Sequence, residues 1–378
     1  MIRFGNPQEV EDYFADSSVS QSYLKLLLKG VDFLTEDEKK RYYEEKGHFV
    51  IGSAVDVWLT QGRENFDLQY FSFEGKKPSD AIMSIVKETF DKACFDDSPP
   101  EGDLYQYPEY VLESADSHAY STNWKTETRI NKITEAGLVY FEQLKLAFGK
   151  QILSSVESTL VQNIVMSLQS GKYTNEYFKD APHIDIYHQV AIYFEINDIP
   201  CKALLDKVIV NRETQKIIPI DIKTIGTKTS DFPYAVTKRG YNFQGAFYTQ
   251  ALLKLMFKDA SCPIEMNVNS DYMIEPFIFL TETTEYKENS VTGEVKFFTG
   301  KPLAFQLSPT QLNLGKYGRP EMIVNGKPEN YADGAYIPIK YQSIKGFEDA
   351  INLYKWHLEN GFDYDKKVIE DNGLILVE

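Results

Sequence analysis

Cysteine is scarce in this chain: three residues, Cys94, Cys201 and Cys262, among 378. Odd in number and far apart, they exclude a disulfide framework and are too few for a four-cysteine zinc or iron–sulphur site. They read as structural free thiols in a reducing compartment, so a cytoplasmic location is expected. No apolar run approaches the length of a membrane span, and the N-terminus MIRFGNPQEV lacks a signal-peptide pattern; no membrane partner is expected. Positive charge is also in deficit, with 40 Lys and Arg against 56 Asp and Glu and a formal net charge of −16. Taken over the whole chain, that balance argues against a nucleic-acid partner. Internal repeats, low-complexity tracts and obvious linkers are absent too.

Material for a core is plentiful, since 43% of the residues are hydrophobic and 14% aromatic. That composition excludes a disordered chain. The length allows one elaborated domain or two, and the preferred reading is a single α/β domain over 1–378 with insertions. Residues 17–62 read as helical in two parts, with SSVSQSYLKLLLKGVDFL opening on capping candidates. Further helices are expected over 78–98 and 135–180. Strands dominate 186–224, and a helix follows in RGYNFQGAFYTQALLKLMFK. A strand- and turn-rich elaboration covers about 272–340, and an amphipathic helix closes the chain at about 345–361.

The most informative stretch is CKALLDKVIVNRETQKIIPIDIKT, residues 201–224. It reads as two strands joined by a polar turn at Asn211–Gln215, with Asp206 on the first and Asp221 and Lys223 on the second. Strand alternation puts Ile218, Ile220 and Ile222 on one face and Asp221 and Lys223 on the other. Two carboxylates from adjacent strands can hold Mg²⁺, a hard cation that prefers oxygen ligands. A lysine alongside can orient water and offset charge on a phosphate.

An acid–x–Lys tripeptide has no meaning by itself, because Asp37–Lys39, Glu44–Lys46, Glu294–Lys296 and Asp365–Lys367 repeat it. The isoleucine-rich strand and the acid on the preceding strand set Asp221–Lys223 apart. From these residues alone two readings stand, a metal site or a half-exposed hairpin carrying surface charges. Local charge leaves the partner open as well. Within 201–240 eight basic residues, Lys238 and Arg239 among them, face four acids, an excess of +4 that could hold DNA or arise by chance.

Four separated elements line up in order with one superfamily. They are SQSYLKLLL (20–28), GSAVDVWL (52–59), PCKALLD with IPIDIKT, and YNFQGAFY (241–248). The chain resembles the PD-(D/E)XK nucleases, most closely their exonuclease-VIII (RecE)-like and RecB-like branch, known from phages and bacteria. The closing FEDAINLYKWHLENG is similar to that branch's last helix. The resemblance spans most of the chain, with core motifs in 17–62 and 186–257, and covers 272–340 least.

It implies a restriction-endonuclease-like core, a central mixed β-sheet flanked by helices. By position it implies that Asp206 and Asp221 are metal ligands, joined by the carbonyl of Ile222, and that Lys223 is the catalytic lysine. Gln244 and Tyr248, at i and i+4 on one helix, would line the site and contact DNA; a packed helix face is the alternative. Lys238 and Arg239 just before them are further DNA-binding candidates. Two departures stand out. Asp221 occupies a place more often held by Glu, and Asp56 one where RecB-like members carry a metal-binding His. A carboxylate at position 56 suits Mg²⁺ and also Mn²⁺; the alternative for Asp56 is a solvated helix edge.

The implied activity is a Mg²⁺-dependent deoxyribonuclease, a double-strand exonuclease of recombination or phage DNA processing. A single-strand annealing or recombination protein and a ring-shaped homo-oligomer are the partners that such a resemblance suggests. The same motifs serve endonucleases and single-strand or flap nucleases, and a catalytically silent DNA-binding protein could keep the fold. Among other residues near the motifs, His48, His183 and His188 read as surface or core histidines. Glu195 is a candidate supporting acid. Trp124, Lys125 and Arg129 form an aromatic and basic group for which an ordinary helix surface is expected.

Overall fold

The computed structural model describes residues 1–35, 48–73, 78–326, 337–341 and 343–371. The chain divides into two compact units, one formed by 1–62 with 163–378 and the other by 63–162. The first unit opens with β1 (Ile2–Arg3), α1 (Pro7–Ala15), β2 (Val19–Ser20), α2 (Gln21–Leu27) and α3 (His48–Thr60). The second follows with α4 (Arg63–Gln69), β3 (Tyr70–Phe73), α5 (Asp80–Ala93), α6 (Pro108–Ser117), α7 (Thr126–Leu146) and β4 (Gln151–Ser154). Helix α8 (Ser155–Ser170) leads back to the first unit, which continues with β5 (Ile184–Ile196), β6 (Ile199–Asn211) and β7 (Lys216–Ile225). Then come α9 (Phe232–Lys238), α10 (Tyr241–Met256), β8 (Ala260–Ser261), β9 (Met273–Ile274) and β10 (Ile278–Thr283). After β11 (Tyr286–Glu288), β12 (Val295–Phe297) and β13 (Leu303–Gln306), α11 (Pro309–Tyr317) and α12 (Phe347–Asn360) close the part relevant to the site.

The first unit is α/β, built on a mixed sheet in the order β1-β5-β6-β7-β10-β13, with β2 added to β6, β8 to β5 and β9 to β7. Its centre is two antiparallel hairpins made by local turn chemistry. Asn197 and Asp198 both take positive φ, 52° and 67°, the backbone twist that a two-residue hairpin turn needs. At the next turn Asn211 Oδ1 accepts from the N–H groups of Glu213 and Thr214 at 3.0 Å each, an Asx turn at the expected place. Strand β10 then joins β7 in parallel, which demands a crossover, and α9 and α10 supply it.

That crossover lays α10 across the sheet. Phe243, Phe247, Ala251 and Leu252 pack with the strand residues Phe194, Leu205 and Phe279, and with Phe277 just before β10, in one core. The Asp221 side of β7 is therefore covered, and Asp221 is 1% exposed where a half-exposed hairpin would have left it open. Gly315 of α11 fixes how closely the outer helix approaches α10. A Cβ there would lie 2.0 Å from the Asn242 carbonyl oxygen.

Several expectations change in detail. The first expected helix is shorter, with α2 beginning at Gln21 and Ser20 Oγ capping Tyr23 N–H at 3.2 Å. The charged TEDEKKRYYEEKG stretch, including Asp37–Lys39 and Glu44–Lys46, lies almost wholly outside the described residues. The expected helix over 135–180 is interrupted, because Gly149 (φ 74°) follows the end of α7 and residues 151–154 pair in parallel with β3. Within the strand-rich 272–340 region, Ser308 caps α11 and Pro309 occupies its first turn.

In the second unit α5, α6 and α7 bury Ile85, Val86, Val111 and Phe141 in a core of their own. Arg129 is no surface residue there; it is buried and pairs with Asp116 at 2.7 Å, while Trp124 is exposed. No helix among the described residues is long and apolar enough to cross a membrane.

Gly315→Ala would force α11 off α10 at a contact between backbones. The expected loss is about 1–3 kcal/mol, read as a lower urea midpoint at unchanged slope.

Candidate active site

The β6–β7 ladder runs from Asn211–Lys216 at the turn to Lys207–Ile220, and there it stops. The next facing residues are Asp206 and Asp221. Beyond them β6 pairs instead with β2, through Cys201 and Lys202, so the two long strands part company. A backbone N–H released from a ladder still needs an acceptor. Ile222 N–H donates to Asp206 Oδ2 at 2.8 Å, so the Asp206 side chain takes the place of the missing strand.

On the other edge β7 continues beside β10, with Asp221 opposite Phe279 and Lys223 opposite Thr281. Lys223 Nζ faces Asp221 Oδ2 at 2.5 Å, and Gln244 Nε2 of α10 donates to Asp221 Oδ1 at 2.6 Å. The ammonium also lies 5.5 Å from the centre of the Tyr241 ring.

Asp56 arrives from α3, whose apolar pattern Ile51, Val55, Trp58 and Leu59 reads as a core stripe; Ile51, Val55 and Leu59 are buried and Trp58 is half-buried. Gly52 lets this helix come close to β7, since a Cβ there would meet Thr224 Oγ1 at 3.0 Å. Asp56 is no solvated helix edge. Its Oδ2 accepts from Gln189 Nε2 at 3.0 Å, and its Oδ1 is buried with no hydrogen-bond partner.

The electrostatics follow from three carboxylates sharing a poorly hydrated volume. Burial, then the neighbouring Asp221, pushes the Asp56 carboxyl up to about 7. Burial with Asp221 and Asp56 raises Asp206 well above the usual carboxylate range. Burial works against the charge on Lys223, yet Asp221 and Asp206 override it and hold its pKa above the normal lysine value. Lys223 is thus held as a cation that can donate hydrogen bonds. Tyr248, near Tyr13, Asp221 and Asp206, keeps its proton because burial pushes its hydroxyl far upward.

Asp56, Asp206, Asp221, Lys223, Gln244 and Tyr248 therefore lie together. Ile222 joins through its backbone. Gln244 and Tyr248 are buried, so each serves this cluster from within. Lys238 and Arg239 are exposed at the end of α9, immediately before Gly240 and α10. Glu195 is far along β5 from Gln189, exposed, and lines an open cavity of about 650 Å³ with Lys254 and Lys258. His183 is half exposed near Glu213, whereas His188 is buried, stacked on Phe4, and pushed down to about 3 by its burial. The side chain of His48 lies outside the described residues.

Two contributors escaped sequence reasoning. Gln189 is one. The other is Lys25, whose stem packs within 3.1 Å of where a Cβ on Gly240 would sit. Burial, then the nearby Lys223 charge, pulls the Lys25 amine down to about 8. Among the described residues it has no ion-pair partner. Its signal was a lone lysine inside the apolar YLKLLL run.

The donors suit a hard cation: three carboxylates, of which Asp56 has one buried oxygen accepting no hydrogen bond. The oxygens are not gathered as they stand. Among the described residues no group of three or more His, Cys, Asp or Glu forms a ready metal cluster, and Lys223 holds Asp221 Oδ2. Compared with known proteins, the chain matches no family model and no curated protein.

Because Asp56 and Asp206 bind protons more readily folded than unfolded, metal-free stability falls as pH rises from about 4 to about 7. The thermal midpoint is expected to be higher at pH 5.5 than at pH 7.5. Asp56→Asn should flatten that difference, and Mg²⁺ should raise the wild-type midpoint more at pH 7.5.

Proposed function

We propose that the chain is a metal-dependent deoxyribonuclease of the PD-(D/E)XK type, degrading linear duplex DNA in recombination or phage DNA processing. The observation that carries this reading is the parting of β6 and β7 at Asp206 and Asp221, with Asp56 and Lys223 brought to the same place. Evolving a structural core gives no reason to bury three acids together, since each raises the cost of ionising the others.

Asp56, Asp206 and Asp221 would hold Mg²⁺, with Mn²⁺ also accepted, and the cation when bound supplies Lewis-acid polarisation of the phosphate and a more acidic water. Hydrolysis adds water across the phosphorus–oxygen bond, and negative charge accumulates on the phosphoryl oxygens. Lys223, held charged by Asp221 and Asp206, is placed to offset it. Lys25 adds a second cation beside Lys223, while exposed Lys238 and Arg239 offer contacts to the sugar–phosphate backbone. Gln244 fixes the Asp221 carboxylate, and Tyr248 stays protonated as a donor.

A second reading, a silent DNA-binding protein on the same fold, is favoured by the direct contact of Lys223 with Asp221 and the ungathered oxygens. Calorimetry with Mn²⁺ separates the two, because a silent site takes up no ion.

Asp221→Ala and Lys223→Ala are each expected to slow digestion of linear duplex DNA by on the order of 10²–10³-fold. Undiminished digestion by both would remove the assigned site. Covalently closed circular DNA should survive in the same assay, as an enzyme working from ends requires. Lys25→Met removes a charge from a half-buried position. It should raise the thermal midpoint slightly while raising KM for DNA several-fold, a split that a merely structural lysine would not produce.

A further inference from the structure

Strands β5 and β6 pair residue against residue along their whole length, from Ile184–Asn211 to Ile196–Ile199, with one exception. His188 faces Lys207 and Val190 faces Leu205, but the step between them, Gln189 opposite Asp206, carries no ladder pair. Gln189 has φ 50°, and it is the one residue inside a strand, among those described, with a positive φ. A side chain bearing a Cβ rarely adopts that conformation, and in a strand it is adverse. Such a residue persists only where its surroundings demand it.

The surroundings are specific. The Gln189 amide has two hydrogens, and both are used on α3: Nε2 lies 3.0 Å from Asp56 Oδ2 and 2.8 Å from Thr60 Oγ1. Thr60 in turn donates to the Asp56 carbonyl at 2.8 Å, so one helical turn is clamped at both ends. Room for the stem is made by Gly5. A Cβ at that position would lie 2.6 Å from Gln189 Cβ and 2.7 Å from its Cγ, and Gly5 N–H is tied to the Thr60 carbonyl at 2.8 Å. Backbone twist, helix clamp and glycine clearance all serve one side chain.

We propose that Gln189 is the positioning residue of Asp56. It leaves the β5–β6 ladder at the step facing Asp206 so that its amide fixes one Asp56 oxygen and frees the other for a divalent cation. The inference rests on the nuclease reading. It also explains the residue type: a glutamate here would set a fourth carboxylate against Asp56, whereas the neutral amide supplies only donors.

The test uses the full chain with Gln189→Asn, Gln189→Gly and Thr60→Val. Asparagine tolerates a left-handed backbone but is one methylene too short, and glycine relieves the backbone while removing the amide. Thr60→Val leaves Gln189 in place with one anchor gone. Mn²⁺ alone is titrated calorimetrically into each protein, thermal midpoints are measured, and kcat and KM are determined on linear duplex DNA. Gln189→Asn and Gln189→Gly should keep a cooperative thermal transition, bind Mn²⁺ about 10–100-fold more weakly, and lose kcat with KM for DNA nearly unchanged. Thr60→Val should show a smaller loss in the same direction. Wild-type Mn²⁺ affinity in a folded Gln189 variant would overturn the proposal and leave the nuclease reading intact; should neither variant fold, undiminished Mn²⁺ affinity in Thr60→Val would overturn it. A wild type that binds no Mn²⁺ would overturn both readings, and that outcome is visible before any variant is made.

Discussion

Like charges crowded into one shielded place are the constraint on which the site depends. Asp56 comes from α3, Asp206 from β6 and Asp221 from β7; burial and the Asp221 charge make Asp56 harder to ionise, and burial with both neighbours does the same to Asp206. Left to themselves such groups would move apart or draw in water. They are kept in place by attachments that each consume one oxygen: Ile222 N–H on Asp206, Gln244 on Asp221 and Gln189 on Asp56. Lys223 supplies the nearest opposing charge, and the same repulsion that destabilises the acids stabilises its ammonium. A bound divalent cation would relieve the whole set together, which is why the cluster makes more sense as a binding site than as a structural element.

The frame that resists this repulsion is apolar. Helix α10 lies over the sheet with Phe243, Phe247, Ala251 and Leu252 in the core, so Gln244 and Tyr248 are carried to the acids by a helix that cannot shift without opening that core. Gly52 performs a similar service on the opposite approach by letting α3 reach Thr224. The strain is local and the packing that opposes it is extensive, a division common at functional sites.

Much of this was legible in the sequence because it is written in short-range chemistry. The Asn211–Gln215 turn, the β-branched run up to Ile222 and the i, i+4 spacing of Gln244 and Tyr248 all announce their local structure. The acids themselves could be named, but not their environment. Alternation separated the Asp221 face from the isoleucine face without showing what lies over it; the parallel β7–β10 crossover covers it with α10, a tertiary event that no period-two pattern encodes. Arg129 looked like surface for the same reason, and its burial depends on Asp116 in a different helix. Gln189 was the hardest to see. A glutamine inside YHQVAIYF has no distinguishing spacing, and its positive φ goes with contacts to Gly5, Asp56 and Thr60, all far away in sequence.

Charge acquires a different meaning once the cations are placed. An excess of sixteen acids keeps DNA away from most of the chain at long range. Lys25 and Lys223 sit at the acidic cluster, with Lys238 and Arg239 at the end of α9, just before α10. Few cations at one place within a repelling surface favour short-range engagement over sliding along duplex, because non-specific affinity scales with the number of phosphates neutralised. Under the nuclease reading the negative surface and the local lysines are therefore complementary. The first suppresses unproductive binding, and the second lets a phosphate approach three carboxylates that would otherwise repel it.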